Sequence, residues 1–357
     1  MLPAAPPVSS GAAITVTPAA TYEAEVKTEE VEAESKANEW FLKEIQWSMT
    51  GHPADKKPIR IITQEVNGSC SLIALCNALI LKGDIEILPP TRKSVSYDYL
   101  SSLVATFLLT NRESSSLAAA LSALPSTRSG LAVDPLFTRI DGFKARARSK
   151  HDDGTGELAL FRLAGVPLLH GWVVDPSTPE FSVMSKIGDY DSAVEVIAAG
   201  DELTGGQLVG DYADVSLEAL NNPQWTTQQR SVVEEAIAAQ KFLKGSSHQL
   251  TYHGLFGISS SLQPHELAVL FRNSHLSVIY KRPALDGGEA ALYTLVTDSS
   301  LRNEPAVVWE TMRDIEGALD FVDGDFHPSS TLGGDWAGHT DIRDDRSEHE
   351  DGFYDQE

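Results

Sequence analysis

The sequence is poor in cysteine, with only Cys70 and Cys76 in 357 residues. The two lie six positions apart in one predicted helix, so geometry does not allow a disulfide between them. Because no other cysteine can pair with either, we expect a reducing compartment, the cytoplasm or alternatively the nucleus. The cysteines and histidines also lack the paired spacing of a zinc site, so no metal and no other cofactor is expected.

Long apolar runs are absent as well. No uninterrupted stretch approaches the roughly 20 residues that a membrane span requires. The first residues, Met1 to Pro7, lack the basic and apolar segments of a secretory signal. We therefore expect a soluble intracellular protein without a membrane partner, and a monomer.

Positive charge is scarce, with 28 Lys and Arg against 51 Asp and Glu and a net charge of −23. This balance argues against nucleic acid as a partner. Much of the charge lies at the ends, since residues 1–39 carry −5 and residues 320–357 carry −10. We interpret residues 1–38 and 330–357 as disordered acidic tails around one folded domain, residues 39–329.

The most informative stretch runs from Gln64 to Leu81. Between Leu72 and Leu81 only Asn77 is polar, which predicts a buried helix that ends at Gly83. Several short strands late in the chain predict a mainly antiparallel sheet, and Ile85 to Leu88 alternates like one further brief strand. The expected fold class is α+β, with a central buried helix packed on that sheet.

Cys70 falls in the first turn of this helix, directly after the turn-forming pair Asn67-Gly68. Unpaired N–H groups at a helix N-terminus and the helix dipole favour a thiolate. Gln64, six positions earlier, could donate its amide to an oxyanion that forms beside the sulfur. The layout is that of papain-like cysteine peptidases, although a buried structural cysteine at a turn remains an alternative.

A catalytic thiol needs a histidine as its base. Among the ten histidines, His275 begins a strand immediately after a turn and is the candidate that spacing favours. His170 lies inside an apolar stretch, where a hydrogen-bonded core imidazole is the common outcome. Cys76, six residues after the candidate nucleophile, is interpreted as a core residue.

The sequence resembles the MINDY family of deubiquitinases, cysteine peptidases that cleave ubiquitin chains. The resemblance covers about Trp40 to Ser329 and would make this the catalytic domain, with a variant papain-like fold. The motifs that carry it follow one another in family order: Ile61–Gln64 with Asn67–Cys70, Gly165–Pro176, Gln249–Leu255, Phe271–His275, Val296–Asp298, Val307–Glu310 and Asp323–His327.

By position, the resemblance implies that Cys70 is the nucleophile, His275 the general base and acid, and Gln64 the oxyanion donor. It also implies ubiquitin and polyubiquitin as partners, with long chains linked through lysine 48 and trimmed from the distal end. Thr297 and Asp298 both remain candidates for orienting His275, although a carboxylate is the stronger partner for an imidazolium.

The family also implies a role in chain binding for three aromatic side chains, for which core packing is the alternative interpretation: Trp172, Tyr190 and Phe271. The animal members have prolines beside the nucleophile, where this chain has Ser69 and Ser71. Because proline fixes the backbone and removes an N–H, the serines should leave this loop more mobile, and inheritance of a self-inhibited resting state stays open.

Two other function classes also stay open. One is a scaffold that binds ubiquitin chains but turns over weakly, against which the presence of Gln64, Cys70 and His275 together speaks. The other is a papain-like thiol enzyme that acts on a different acyl substrate, against which the separated family motifs speak.

Overall fold

The computed structural model describes residues 39–64, 70–111, 115–129, 133–145, 155–209, 222–284, 290–315 and 320–331. The predicted tails therefore lie outside the described residues, except for Ser330 and Thr331, and so do Asn67, Gly68 and Ser69. Within the described part, none of the helices combines the length and the hydrophobicity that crossing a bilayer requires.

Helices and strands are mixed in the first half of the described chain, whereas four consecutive helices and then five consecutive strands make up most of the second half. The helices are α1 Cys70–Lys82, α2 Tyr97–Asn111, α3 Leu117–Ala123, α4 Thr155–Ala164, α5 Phe181–Ile187, α6 Tyr190–Leu203, α7 Thr227–Gly245 and α8 Tyr252–Ser261. The strands are β1 Glu39–Trp47, β2 Lys57–Ile62, β3 Ser94–Ser96, β4 Val133–Pro135, β5 Phe143–Ala145, β6 Leu168–His170, β7 Leu267–Arg272, β8 His275–Arg282, β9 Ala291–Leu295, β10 Trp309–Met312 and β11 Phe321–Val322.

The main sheet has six strands in the order β11-β10-β9-β8-β7-β6. Every neighbouring pair in it is antiparallel except β6 and β7. A three-stranded sheet, β2-β1-β3, and a two-stranded sheet, β4-β5, complete the described strands. The predicted α+β class with a mainly antiparallel sheet is confirmed.

Helix α1 is buried on all sides, from Ser71 to Leu81. It packs against α2, β2, β7 and β8, and its apolar side chains form the centre of the largest core cluster. Gly83 follows it with a φ of +78°, the left-handed conformation that ends helices and that glycine adopts without steric cost. The helix predicted from the apolar run is therefore present and central.

The single polar side chain inside this helix, Asn77, is fully buried and makes two hydrogen bonds to one residue of β2. Its Oδ1 accepts from the Ile62 N–H at 2.8 Å, and its Nδ2 donates to the Ile62 carbonyl at 2.9 Å. A buried amide is stable only when such bonds are made. The pair fixes α1 against the strand that leads into Gln64.

The prediction of a brief strand at Ile85–Leu88 is wrong. Ile85 and Ile87 are buried while the residues between and after them are exposed, which reproduces the alternation seen in the sequence. The backbone, however, follows the end of α1: the N–H groups of Asp84 and Ile85 both donate to the Leu79 carbonyl. The alternation therefore arises from a loop packed on the core, without a neighbouring strand.

Replacing Asn77 with leucine should destabilise the fold strongly. The substitution leaves a buried N–H and a buried carbonyl of Ile62 without partners, at about 1–3 kcal/mol each. We expect the free energy of unfolding in urea to fall by roughly 2–4 kcal/mol. Cys76→Ala, one position away and equally buried, deletes a single heavy atom and should cost roughly 1 kcal/mol. An equal loss in both variants would contradict this role for Asn77.

Candidate active site

Cys70 is the first residue of α1, so its thiol lies where the helix has unpaired N–H groups. The side chain is half-buried against the main core cluster. Backbone N–H groups of Leu276, Ser71 and Cys70 itself all act on the thiol in the direction that favours a thiolate. Since Leu276 is the second residue of β8, the structure brings the candidate nucleophile to the start of the strand that opens with His275.

Burial nevertheless outweighs these N–H groups and raises the pKa of the Cys70 thiol above its ordinary value of 9.0. The helix N-terminus favours a thiolate, as predicted from the sequence, but the net effect is a raised pKa, because the surrounding protein removes water from the sulfur. Cys76 is fully buried, and burial raises the pKa of its thiol further still. Its interpretation as a core residue is confirmed.

Ser71, where animal relatives were expected to have proline, donates its backbone N–H in the direction that favours the Cys70 thiolate. Its own side chain is buried, and the hydroxyl donates to the Thr127 carbonyl at 3.4 Å. The serine therefore supplies an N–H that a proline would lack.

His275 opens β8 after a two-residue turn, Asn273–Ser274, from β7. Side chains alternate along a strand, so His275 and Ser277 lie on one face and Leu276 and Val278 on the other. Leu276 and Val278 join the core cluster that contains α1. His275 is therefore on the face away from that cluster, although its backbone lies beside Cys70.

Protein around the imidazole partly desolvates it, which lowers the pKa of His275 below its ordinary value of 6.5, although the residue as a whole is exposed. Among the described residues, no hydrogen bond joins Cys70 to His275. Both pKa shifts favour the uncharged forms of the two side chains.

Gln64 is buried, and its backbone is tied to the segment after β9. Its N–H donates to the Thr297 carbonyl at 2.6 Å, and its carbonyl accepts from the Ser299 N–H at 2.8 Å. The β8–β9 ladder stops at Ile279 and Thr294, and beyond that point this segment pairs with Gln64 instead of β8. The candidate oxyanion donor is thereby held next to Thr297 and Asp298.

A cavity of about 420 Å³ lies where β8 and β9 part. Its lining includes His275, Thr297 and Asp298, so the structure brings the candidate base and both candidate orienting residues to one cavity. Arg272 and Glu310 line it as well. These two were not singled out from the sequence. Arg272 could have been found from the two-residue turn Asn273–Ser274, because the residues on either side of such a turn, here Arg272 and His275, face each other across the hairpin.

Neither candidate orienting residue forms a hydrogen bond with His275 in the described part of the chain. Asp298 is exposed, and its Oδ1 accepts from the Ser300 N–H at 2.8 Å, which caps a short 3-10 helix. Thr297 is half-buried and holds Gln64 through its carbonyl. The choice between the two stays a prediction.

The three candidate substrate-binding aromatics occupy different environments. Trp172 is 5% exposed, and its Nε1 donates to Ser246 Oγ at 2.7 Å. Tyr190 begins α6, is 40% exposed and lies with its ring 5.5 Å from that of Trp172. Phe271 is half-buried and pairs across β7 and β8 with Leu276, whose N–H acts on the Cys70 thiol. Tyr190 and Phe271 are accessible, whereas Trp172 is placed to support Tyr190 from the core.

His170 is fully buried, and its pKa is lowered to about 4 by burial. Its Nε2 lies 3.0 Å from the Gly142 carbonyl, and its Nδ1 accepts from the Trp172 N–H at 3.2 Å. It is a neutral core imidazole, as the sequence predicted.

One group of side chains in the described residues has the chemistry of metal ligands: Asp323, Asp325 and His327. It lies outside the cavity lining and is half-buried to exposed. Lys56 Nζ already forms an ion pair with Asp325, and His327 Nδ1 lies 3.5 Å from an oxygen of Asp323. Asp325 of this group therefore already has a cationic partner in Lys56.

Comparison with known proteins identifies relatives over most of the chain. A profile of the family described as "MINDY deubiquitinase" matches residues 38–326. The chain is 32% identical to "Ubiquitin carboxyl-terminal hydrolase MINDY-1" of Mus musculus and of Homo sapiens, over 76% of this chain and 52% of each relative. It is 30% identical to MINDY-2 of Bos taurus, over 85% of this chain and 44% of that protein. The chain thus spans about half the length of these relatives.

The raised pKa of Cys70 predicts that the resting thiol reacts slowly with small electrophiles at neutral pH. Iodoacetamide alkylates the thiolate, so the rate should keep rising as the pH passes 9.0, without a plateau on the acid side. Mass spectrometry of the alkylated peptide, with Cys70→Ala to account for Cys76, measures it. A rate that is already constant between about pH 5 and 7 would instead reveal a low-pKa thiolate paired with imidazolium.

Proposed function

Because this chain belongs to the MINDY deubiquitinase family, we propose that it is a cysteine-type deubiquitinase that hydrolyses isopeptide bonds in polyubiquitin. The observation that supports this most directly is the position of Cys70. It opens the buried helix α1 and lies against the start of β8, the strand that begins with His275. No bound metal is needed for the chemistry that these side chains can perform.

In the proposed reaction, Cys70 Sγ attacks the carbonyl carbon that joins the C-terminal glycine of ubiquitin to a lysine. His275 accepts the thiol proton and then passes it to the departing lysine amine. Gln64 and the Cys70 N–H stabilise the oxyanion of the tetrahedral intermediate. Water then hydrolyses the thioester, with His275 as the base, which releases ubiquitin and the free thiol.

Substrate binding must complete this site, because no hydrogen bond links Cys70 and His275 in the described residues. General acid–base catalysis requires the two within about 2.6–3.2 Å or through one water. Catalytic hydrogen bonds often form only in the enzyme–substrate complex. In this proposal the imidazole lies on the cavity side of β8 in the free enzyme and moves toward the Cys70 sulfur when the ubiquitin chain binds.

The resemblance supports a finer proposal for the substrate. We propose long chains linked through lysine 48, trimmed from the distal end, as the preferred polyubiquitin. Exposed Tyr190 and half-buried Phe271 are the proposed contacts for the chain, with Trp172 packed against Tyr190. We place the enzyme in the cytoplasm, or in the cytoplasm and nucleus, as a monomer.

One observation favours a second function, a ubiquitin-chain-binding scaffold with weak turnover. The pKa shifts of Cys70 and His275 both favour uncharged forms, and the two side chains are not hydrogen-bonded to each other. Such a protein would bind chains but cut them slowly at saturating concentrations.

Cys70→Ala should abolish cleavage of long ubiquitin chains while retaining chain binding. Gln64→Ala should remain folded but cleave roughly 10²–10³-fold more slowly, the usual effect of losing one oxyanion donor. Gel assays give the rates, and binding of chains to immobilised protein gives the affinity. Cleavage by Cys70→Ala at the wild-type rate would refute the assignment of the nucleophile.

A panel of long chains, each with a single linkage type, tests the substrate. Wild-type protein should degrade only the chains linked through lysine 48 and release single ubiquitins from their distal ends. Equal cleavage of several linkages would remove the linkage preference but not the enzyme class. Binding of all chains without cleavage would support the scaffold instead.

A further inference from the structure

The turn that precedes His275 has an unusual backbone. Asn273 has a φ of +52° and Ser274 a φ of +58°, so both residues of this two-residue loop are left-handed. This geometry matches the twist of a hairpin, but its second position is usually glycine, because a side chain there is strained. Ser274 occupies it here, so the turn depends on contacts from outside the hairpin.

Two such contacts come from the short segment between α7 and α8. Gln249 Oε1 accepts from the Asn273 N–H at 2.8 Å. Arg272 Nε donates to the His248 carbonyl at 2.9 Å. The N–H of the first loop residue has no role in the ladder of a two-residue hairpin, so the bond from Gln249 holds the turn and not the strands.

Gln249 is itself firmly supported. It is half-buried with a φ of +51°, and its N–H donates to the Ser246 carbonyl at 2.9 Å. The next residue, Leu250, is 1% exposed and forms a β-bridge with Gly171. The acceptor oxygen therefore belongs to a packed part of the chain. It bonds to Asn273, two positions before the candidate base.

We propose that Gln249 is a positioning residue for His275, which holds the turn from which the general base begins and thereby fixes the imidazole relative to Cys70. The proposal rests on the proposed deubiquitinase function. Gln249 does not touch the reacting atoms; it acts through the Asn273 N–H alone. Misplacement of a reacting group by about 1 Å can cost roughly 10²-fold in rate, so one bond at this turn can govern turnover.

The test compares Gln249→Leu, which removes the acceptor at similar size, with Gln249→Glu, whose carboxylate oxygen can accept the same bond. Gln263→Leu is the matched control, because Gln263 is exposed and forms no side-chain hydrogen bond in the described residues. Melting curves establish that each variant is folded. Gel assays on long lysine 48-linked chains give kcat and KM.

A second readout does not depend on ubiquitin. The NMR titration of the His275 ring, assigned with His275→Asn, reports how tightly the turn holds it. Partial burial lowers the pKa of His275, so a loosened turn should move the titration of Gln249→Leu up, toward 6.5. The charged side chains that line the same cavity as His275 are unchanged in this variant: Arg272, Asp298, Glu310 and Asp314.

We expect Gln249→Leu to lose roughly 10- to 100-fold in kcat with little change in KM, and Gln249→Glu and Gln263→Leu to stay close to wild type. An unchanged His275 titration in Gln249→Leu, or an unchanged kcat in an active enzyme, overturns the proposal. If wild-type protein cleaves no chain, the proposed function fails separately, and the titration alone decides the role of Gln249.

Discussion

The pair of hydrogen bonds between Asn77 and Ile62 is the constraint on which the candidate site depends. A helix that is apolar on every side can rotate or slide within a core of similar side chains, because dispersion contacts do not distinguish neighbouring registers strongly. The amide of Asn77 removes this freedom, since only one position of α1 satisfies both buried backbone groups of Ile62. Gln64 follows Ile62 by two residues, so the same bonds also help to position the candidate oxyanion donor relative to Cys70.

From that fixed point, three separate parts of the chain carry the candidate residues. The end of β2 brings Gln64, the start of α1 brings Cys70, and the β7–β8 hairpin brings His275. The segment that carries Thr297 and Asp298 lies beyond the end of the β8–β9 ladder, and it pairs with Gln64 instead of β8. The arrangement of the candidate site therefore depends on pairing between parts of the chain that are distant in sequence.

Much of this could be predicted from sequence. The apolar run gave helix α1, its glycine stop and the position of Cys70 in the first turn, and the late strands predicted the antiparallel sheet. What could not be predicted depends on neighbours in space. Burial in the folded core raises the pKa of the Cys70 thiol, which no local sequence pattern records. Ile85 and Ile87 alternate with exposed residues without any strand partner, and the face occupied by His275 follows from a register that only the folded hairpin defines.

The hairpin turn also limits how a chain of this kind can vary. Because side chains on a strand change face at every residue, the number of loop residues decides which of His275 and Leu276 faces the α1 side. One inserted residue that shifted the register would place the imidazole in the apolar core and turn the leucine toward the cavity. The loop at Asn273–Ser274 can therefore change in composition but not freely in length, unlike most surface loops, which tolerate insertions. Loop length here is as much a determinant of the candidate active site as the identity of the histidine.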